Sequence, residues 1–458
     1  MRHAGWLTSI AIAAACSQLP ANASDPTGLL PLLGLHPTEW TSLSSRGLTF
    51  GGWISGGITL NNLSPSNNFN GPVTFGSRNG EPMLNQLYFF LERAIQVQGD
   101  HWDFGGRADF LYGTDAIYTQ TYGSPFGTWD YYLAKGCNDE NTNCSIRFYS
   151  AAVPQVYLTI SAPVGNGLEV RLGHFYTPFG YEAVKAPDNF FYSHAYTMQY
   201  GEPFTHTGLL VRYPVTRNIG LGAGSATGNA ANGCTWRRSP SGEPVRAGPC
   251  LSGGGWDGDF NSGLNAWSFM GGVQYTSDDQ ATQVSAKGTI GPTSAENRND
   301  WGLISLILQQ DFGENWHYVL QHDRGFADRA VLDQQNALRN ATWYGVNQYL
   351  FYDWSDRLSV GIRAEWFRDQ NGFRVCQDPG PTVTVCPNPL AGIPNGAGNS
   401  YYAVTAGLKW RPLPWVAIRP SVRFDKSADI NAFGYDPTTQ AGTASSQVLV
   451  ATDVIVNF

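Results

Sequence analysis

The C-terminal segment of the chain, residues 446–458, alternates in polarity with almost no interruption. One face carries Val448, Val450, Thr452, Val454, Val456 and Phe458. The opposite face is mostly polar or small, with Leu449 and Ile455 as apolar exceptions. A period of two residues predicts a β-strand with one apolar face. A Val-rich face that ends in an aromatic residue suits contact with the hydrocarbon of a membrane.

The same alternation recurs along the chain and predicts about 16 strands. The predicted strands lie near residues 48–60, 84–98, 102–112, 154–163, 167–176, 206–215, 217–226, 263–276, 280–290, 301–312, 314–323, 341–353, 357–368, 400–411, 415–425 and 446–458. Short turns alternate with long, polar connections, which include residues 113–153, 177–205, 227–262, 324–340 and 369–399. We therefore predict an all-β protein, a transmembrane antiparallel β-barrel with short periplasmic turns and long extracellular loops.

The first residues of the chain resemble a segment that directs export. Arg2 precedes an apolar run of about ten residues, and Ala21-Asn22-Ala23 fits a cleavage site. We predict a signal peptide over residues 1–23, an N-terminal periplasmic segment over 24–47 and a barrel over 48–458. A lipoprotein site at Cys16 is the alternative for this region. Beyond residue 23 no apolar run approaches the roughly 18 residues that a membrane-spanning helix needs.

Composition supports a sheet that meets lipid on one side and water on the other. Only 14% of residues are charged and 13% are aromatic, and the chain has 53 glycines. A soluble domain has about 25% charged residues. The formal net charge is −8 and no basic run occurs, which argues against binding to nucleic acid.

Six of the seven cysteines fall into three local pairs in polar connections. The pairs are Cys137 with Cys144, Cys234 with Cys250, and Cys376 with Cys386. An exported protein meets an oxidising compartment, so we expect three disulfides that close loops outside the membrane. Metal ligation is the alternative, but the cysteine spacings do not match those of known zinc sites.

In most predicted strands the charged residues share one face, which in a barrel lines the lumen. The pore-lining candidates on the strands are Arg107, Asp109, Glu169, Arg171, Arg363, Glu365, Lys409, Arg419 and Arg423. The connection 177–205 lacks cysteine and is dense in polar and aromatic groups, so we expect it to fold inward and narrow the lumen. Its candidate constriction residues are Glu182, Lys185, Asp188, Tyr192 and His194. A lid packed between neighbouring loops is the alternative for this segment.

Two stretches carry a family resemblance. The segment Gly173-His174-Phe175-Tyr176-Thr177-Pro178-Phe179-Gly180-Tyr181-Glu182 is followed by Asn189-Phe190-Phe191-Tyr192-Ser193. Together with the strand around Leu87-Tyr88-Phe89, these stretches resemble the second family of putative β-barrel porins of bacterial outer membranes. The resemblance implies an outer-membrane barrel with a pore, and it supplies no catalytic residues. The terminal strand ending in Phe458 also resembles the signal that the β-barrel assembly machinery reads.

The sequence thus predicts an outer-membrane porin for passive diffusion of small hydrophilic solutes through a water-filled lumen. We expect no enzyme activity, because no hydrolase or metalloprotease motif is present. We expect no cofactor and no metal, although His174, His194 and His206 cluster around the 177–205 connection. A homo-oligomer in outer-membrane lipid is compatible with the sequence. The alternatives are a non-conducting or adhesive barrel and a soluble exported carbohydrate-binding β protein.

Overall fold

The computed structural model describes most of the predicted barrel and little of what precedes it. The described residues are 28–29, 45–66, 68–97, 100–119, 130, 149–227, 236–238, 244–246, 267–292, 300–332, 337–375, 398–436, 438 and 441–458. The predicted signal peptide, most of segment 24–47 and all six loop cysteines lie outside these residues. The signal peptide and the disulfides therefore stay predictions.

The chain folds into a closed antiparallel β-barrel. Its strands and the two small hairpins in its loops are β1 (Thr49–Asn61), β2 (Met83–Arg93), β3 (Asp103–Gly113), β4 (Ser150–Ala162), β5 (Leu168–Tyr176), β6 (Thr205–Pro214), β7 (Ile219–Thr227), β8 (Trp236–Arg238), β9 (Pro244–Arg246), β10 (Trp267–Thr276), β11 (Thr282–Pro292), β12 (Asp300–Phe312), β13 (Trp316–Leu332), β14 (Leu338–Ser355), β15 (Leu358–Asp369), β16 (Asn399–Leu413), β17 (Val416–Ile418), β18 (Ser421–Ser427), β19 (Phe433–Asp436), β20 (Ala441–Ala444) and β21 (Ser446–Asn457). The main sheet has 17 segments, and because β17 and β18 form one interrupted strand, the barrel has 16 strands. The predicted fold is confirmed.

Closure depends on the pairing of the first and last strands. β1 pairs with β21 from Trp53 opposite Asn457 to Asn61 opposite Leu449. Phe458 extends this ladder, because its N–H donates to the Gly52 carbonyl at 2.9 Å and its carbonyl accepts from the Gly52 N–H at 3.0 Å. Gly52 must be glycine here, since a Cβ atom would overlap the Tyr88 carbonyl oxygen of the neighbouring strand and would also lie 2.7 Å from the Phe458 ring. The closed ladder leaves no sheet edge exposed to lipid.

The two faces of the barrel wall have the polarity that the alternation predicts. On β18, Val422 and Phe424 are 50% and 46% exposed on the outside, whereas Arg423 and Asp425 are 1% and 0% exposed on the inside. The outer face of β21 likewise carries Val450 and Val454. A polar residue on the outer face would meet hydrocarbon without a hydrogen-bond partner, so the charges point inward.

Two irregularities in the sequence are accommodated at strand ends or breaks. Pro420 lies between β17 and β18, where it has no N–H to donate to the ladder. Glu92 faces the lumen, and Arg93 is the last residue of β2, where it binds Asp103 at 2.9 Å. Strand β2 ends there rather than at residue 98 as predicted. The reason is that the Asp103 carboxylate accepts the Gln96 N–H at 2.8 Å, which draws the backbone out of the ladder.

The prediction of a long connection at residues 324–340 is wrong for most of these residues. Strands β13 and β14 continue as a paired hairpin, with Arg324 opposite Tyr344 and Val331 opposite Arg339. Polar residues in this stretch suggest a loop, but an antiparallel ladder tolerates polar side chains wherever water reaches them. Among the described residues, no helix is long and apolar enough to cross a membrane.

We predict that the free-energy cost of placing a charge on the outer face depends on how deep in the membrane the position lies. Val422 lies near the middle of the interrupted strand that β17 and β18 form, so Val422→Arg should lower the free energy of unfolding by about 2–4 kcal/mol. Leu60 is equally exposed but lies next to the loop end of β1, so Leu60→Arg should cost at most about 1 kcal/mol. Urea unfolding in lipid vesicles measures both values. Equal costs at the two sites would contradict the assignment of the outer face to lipid.

Candidate functional site

The connection between β5 and β6, residues 177–204, turns into the barrel and crosses its lumen. We call it the inward loop. It contains one turn of 3₁₀-helix at Ala186–Asp188 and a π-helical turn at Thr197–Gly201. The Tyr192 hydroxyl donates to Asn85 Oδ1 on β2 at 2.9 Å. The Tyr196 hydroxyl donates to Asp425 Oδ1 on β18 at 2.9 Å, so the loop is tied to distant parts of the wall.

Four wall cations hold the backbone of the inward loop. Arg419 donates to the Ala186 carbonyl at 2.9 Å and to the Asn189 carbonyl at 3.0 Å. The other three contacts are Lys409 to the Asn189 carbonyl at 3.1 Å, Arg363 to the Ser193 carbonyl at 2.7 Å and Arg423 to the His194 carbonyl at 2.7 Å. Hydrogen bonds from charged donors are the stronger kind, and here they bind the loop backbone to the wall.

These four cations face inward as predicted, but the inward loop covers them. Arg363, Lys409, Arg419 and Arg423 are between 0% and 5% exposed. They therefore do not border open water in this structure. Strand alternation places a side chain on the inner face, but it carries no information about what packs over that face.

Glu365 is the acid shared by two of the anchors. Its Oε1 lies 3.2 Å from Arg363 Nε and 3.1 Å from Arg423 Nη1. Its Oε2 accepts the Tyr196 N–H of the inward loop at 2.6 Å. The carboxylate balances two buried guanidinium charges and holds the loop at the same time, so its inward position serves the packing of the loop.

Glu182 holds the start of the inward loop. Its Oε1 accepts from Arg363 at 2.7 Å and from the Tyr349 hydroxyl at 3.1 Å, and its Oε2 accepts from the Ala195 N–H at 2.9 Å. Burial alone would raise the pKa of Glu182, but the Arg363 charge and the hydrogen bonds hold that pKa at about 2. His194 lies 3.1 Å from Glu182 Oε2, and burial lowers the pKa of His194 despite this neighbour.

Lys185 and Asp188 occupy a different environment on the same loop. Their side chains pair with each other at 2.5 Å and are 29% and 33% exposed. Asp188 lines an opening toward the short-turn end of the barrel, together with Tyr181, His317 and Asp353. The structure thus separates Glu182 from Lys185 and Asp188 rather than joining them in one charged ring.

The remaining predicted wall residues lie on β3 and β5. Arg107 binds Glu92 at 2.8 Å and Asp109 at 2.7 Å. Arg171 binds Glu169 at 3.3 Å, and both side chains are about one-sixth exposed, at 17% and 18%. Water therefore reaches Arg171 and Glu169, in contrast to the buried Asp109 and to the wall beneath the inward loop.

Sequence reasoning missed two cations on that open wall. Arg212 faces inward on β6 and lies 3.7 Å from Glu169, and Lys287 faces inward on β11 and donates to the Pro178 carbonyl at 2.8 Å. Both follow the alternation of their strands, with Val211 and Tyr213 flanking Arg212 and with Ala286 and Gly288 flanking Lys287. The alternation of polarity in these strands already predicts that both side chains face inward. Checking it at every charged residue would have identified Arg212 and Lys287.

The histidines around the inward loop are held by hydrogen bonds. Among the described residues, no three His, Cys, Asp or Glu side chains are grouped so that they could hold a metal ion. Within the predicted histidine cluster, His174 lies 2.7 Å from the Thr207 hydroxyl and His206 lies 3.0 Å from the Thr177 hydroxyl. These contacts tie the root of the inward loop to β5 and β6.

Comparison with known proteins agrees with this architecture. A family model described as putative beta-barrel porin-2, OmpL-like, matches residues 47–458. The chain belongs to this family of outer-membrane porins. The family assignment places the protein in the outer membrane, and the predicted family and localisation are confirmed.

Solved structures with the same fold include two porins of low sequence identity. The high-pH structure of OprB from Pseudomonas putida is 10% identical, with a TM-score of 0.52 over 91% of this chain and 96% of that one. An anion-selective porin from Comamonas acidovorans is 12% identical, with a TM-score of 0.51 over 90% of this chain and 99% of that one. At such identities the likeness shows the fold alone. Comparison with curated proteins gave no match.

We predict that Glu202 contributes more to holding the inward loop at low pH than at high pH. Burial, and then the charge of the nearby Asp323, raise the pKa of Glu202 well above its usual 4.5. An acid whose pKa is raised by folding stabilises the packed loop fully below its ordinary pKa, and this contribution is lost as the pH rises through the raised value. Hydrogen exchange across residues 177–204 should therefore quicken with pH.

The variant Glu202→Gln keeps a neutral side chain at every pH and should remove most of this pH dependence. Glu81→Gln is the matched control, because Glu81 is 39% exposed and lies outside the inward loop. If exchange in wild-type and Glu202→Gln proteins rises equally with pH, beyond the intrinsic chemical rate, Glu202 does not govern the packing of the loop.

Proposed function

We propose that this porin lets small hydrophilic solutes diffuse passively through the part of the lumen that the inward loop leaves open. The proposal is supported by a difference in exposure to water between the two sides of the inner wall. The wall beneath the loop is sealed, with Arg363 and Arg423 at most 1% exposed, whereas Arg171 and Arg212 on the other side are 17% and 29% exposed. A barrel of about 16 strands is wide enough for a channel beside such a loop.

In this proposal the inward loop sets the width of the channel, and the protein acts without covalent chemistry. Ser193 and His194 are the pair that might suggest hydrolysis, but both are engaged in holding the loop. Ser193 Oγ accepts from Arg363 at 3.2 Å, and His194 Nδ1 lies 3.1 Å from Glu182. The family assignment to porins supports a channel over an enzyme.

We predict that shortening the inward loop raises conductance. Deletion of residues 183–200 should raise the single-channel conductance in planar bilayers by roughly two-fold or more, since the pore cross-section limits the current. The double variant Glu182→Gln with Arg363→Gln should make the current noisier, because it replaces a buried ion pair by uncharged amides and loosens the loop.

The control for this experiment is Lys185→Gln with Asp188→Asn. It removes an ion pair from the same loop without touching an anchor to the wall, so the open-channel noise should stay near that of the wild type. If the assembled deletion variant conducts no more than the wild type, the loop is not the constriction. If the assembled wild-type barrel carries no current, the non-conducting alternative replaces the porin function.

We further propose that the barrel forms a homo-oligomer through the outer faces of β13 and β14. Polar groups interrupt the apolar exterior there. His322, Arg324 and Gln348 are exposed on the outside, and the Tyr318 hydroxyl donates to Gln348 Oε1 at 3.0 Å. A polar side chain that faces lipid loses its hydrogen bonds with water, so a second copy of the chain is a more favourable neighbour for this stripe.

A photo-crosslinking residue placed at Gln348 should therefore trap dimers or higher species in outer membranes. Leu158 on β4 lies on the opposite side of the barrel and is 63% exposed, so the same residue placed there should give little crosslinking. Equal yields at the two positions would contradict the assigned contact surface. A gel of crosslinked material with and without boiling separates folded oligomers from aggregates.

The terminal strand is also proposed to carry the assembly signal that the β-barrel assembly machinery recognises. Two observations support this. Phe458 ends the strand that closes the barrel, and its ring packs on Phe89 with the centroids 5.4 Å apart on the outer face. An aromatic residue at that position is accessible to a partner before closure and is covered by the neighbouring strand afterwards.

A further inference from the structure

The open side of the lumen carries an excess of positive charge. On β5, β6, β7, β10 and β11, the described inward-facing charges are Arg171, Arg212, Lys287 and a single acid, Glu169. These strands adjoin one another in the order in which the chain forms them. Three cations and one acid therefore share one continuous stretch of wall.

Two glycines separate Arg212 from Lys287 along one row of the sheet. Arg212 pairs with Gly222 on β7, Gly222 pairs with Gly272 on β10, and Gly272 pairs with Lys287 on β11. Neither glycine has a side chain to fill the lumen, so the two cations flank a trough that is two strands wide. Neighbouring strands lie about 4.8 Å apart, so the trough is wide enough for a small solute.

The floor of this trough is open at one glycine and covered at the other. A Cβ atom built on Gly222 would have only the Val211 carbonyl oxygen nearby, at 3.8 Å. A Cβ atom on Gly272 would lie 2.6 Å from the Ala286 carbonyl oxygen and 2.7 Å from Lys287 Cγ, because β11 approaches closely at its partner Lys287. The space beside Gly272 is thus filled by β11, whereas Gly222 leaves space in front of Arg212.

The single acid cannot neutralise this group. Glu169 Oε1 is shared between Arg171 Nη2 at 3.3 Å and Arg212 Nη1 at 3.7 Å. Lys287 Nζ donates to the Pro178 carbonyl at 2.8 Å, which satisfies one proton and brings no negative charge. The group therefore keeps about two positive charges in excess, on side chains that water reaches.

Acids elsewhere in the lumen lie on other strands and have cationic partners of their own. Arg107 lies between Glu92 and Asp109, a group with one acid in excess, and Lys185 pairs with Asp188. Toward the short-turn end, His317 lies between Asp311 at 2.7 Å and Asp353 at 3.1 Å. The acids that border the channel are thus already engaged by described partners, whereas the cations at the glycine trough share one carboxylate.

We propose that the trough flanked by Arg212 and Lys287 is a binding subsite for small anionic solutes whose charge lies on oxygen atoms, such as carboxylates and phosphate. The inference rests on the proposed porin function and adds the class of solute. Guanidinium and ammonium groups donate charge-assisted hydrogen bonds to such oxygens, and two of them on either side of an open floor bind one anion between them. The excess charge raises the local concentration of anions in the narrow part of the lumen and excludes cations.

The test measures ion selectivity in planar bilayers with a potassium chloride gradient. The wild-type channel should be more permeable to chloride than to potassium. Arg212→Gln with Lys287→Gln should lower the chloride-to-potassium permeability ratio by roughly two- to three-fold or more, because two charges close to the ion path are removed. Glu169→Gln should raise the same ratio, because it removes the only acid of the group.

A matched control carries the same chemical changes outside the lumen. Lys426 faces outward and is exposed, and Arg217 is 78% exposed in the short turn between β6 and β7, so Arg217→Gln with Lys426→Gln should leave the ratio unchanged. Heat-dependent migration on gels confirms that each variant has assembled. The anion subsite is wrong if the wild-type channel conducts but prefers potassium to chloride. It is also wrong if the permeability ratio stays the same in both the Glu169→Gln variant and the double variant of Arg212 and Lys287. An assembled wild type without current defeats the porin function itself, which keeps the two failures distinct.

Discussion

The structure depends on one constraint, which is that no backbone polar group of the barrel wall is left unpaired in hydrocarbon. An unsatisfied amide in such a medium costs several kcal/mol, so the sheet must close on itself. Closure is achieved where β1 meets β21, and the Phe458 backbone adds two further hydrogen bonds to Gly52. Once the sheet is closed, every residue faces either lipid or lumen, and the polarity of each position follows from that choice.

The lumen presents the opposite problem, because it gathers charged side chains in a confined space. The inward loop resolves part of this problem by placing its own carbonyls against the wall cations, as at Arg419 and Arg423. Leaving a buried charge without a partner costs about 3–5 kcal/mol. Each anchor therefore holds the loop in place, and the loop carbonyls in turn supply the anchor with hydrogen-bond partners. The anchors are gathered on one side of the lumen, so the loop packs there and the wall opposite stays open to water.

The division of the lumen gives the same residue types two different roles. Arg363 lies beneath the loop, where its charge is matched by Glu182 and Glu365 and serves packing. Arg212 lies on the open wall, where its nearest acid is 3.7 Å away and is shared with Arg171. The first arginine is part of the scaffold, and the second faces solutes. Burial decides which role applies, since a covered charge contributes little field to the water-filled path.

The sequence by itself determined the strand number, the face of each strand and the inward position of the charged residues. These properties follow from a period of two, which is local and is written directly in the order of the residues. The same reasoning reached Arg171 and Arg363 but passed over Arg212 and Lys287, although their strands alternate equally well. It also ended the strand at residues 314–323 too early, because polar residues in a ladder above the membrane look like a loop. Only the tertiary structure decided which inward-facing cations the loop covers. That outcome depends on contacts between residues far apart in the chain, such as Arg419 with Ala186, and no local period encodes them.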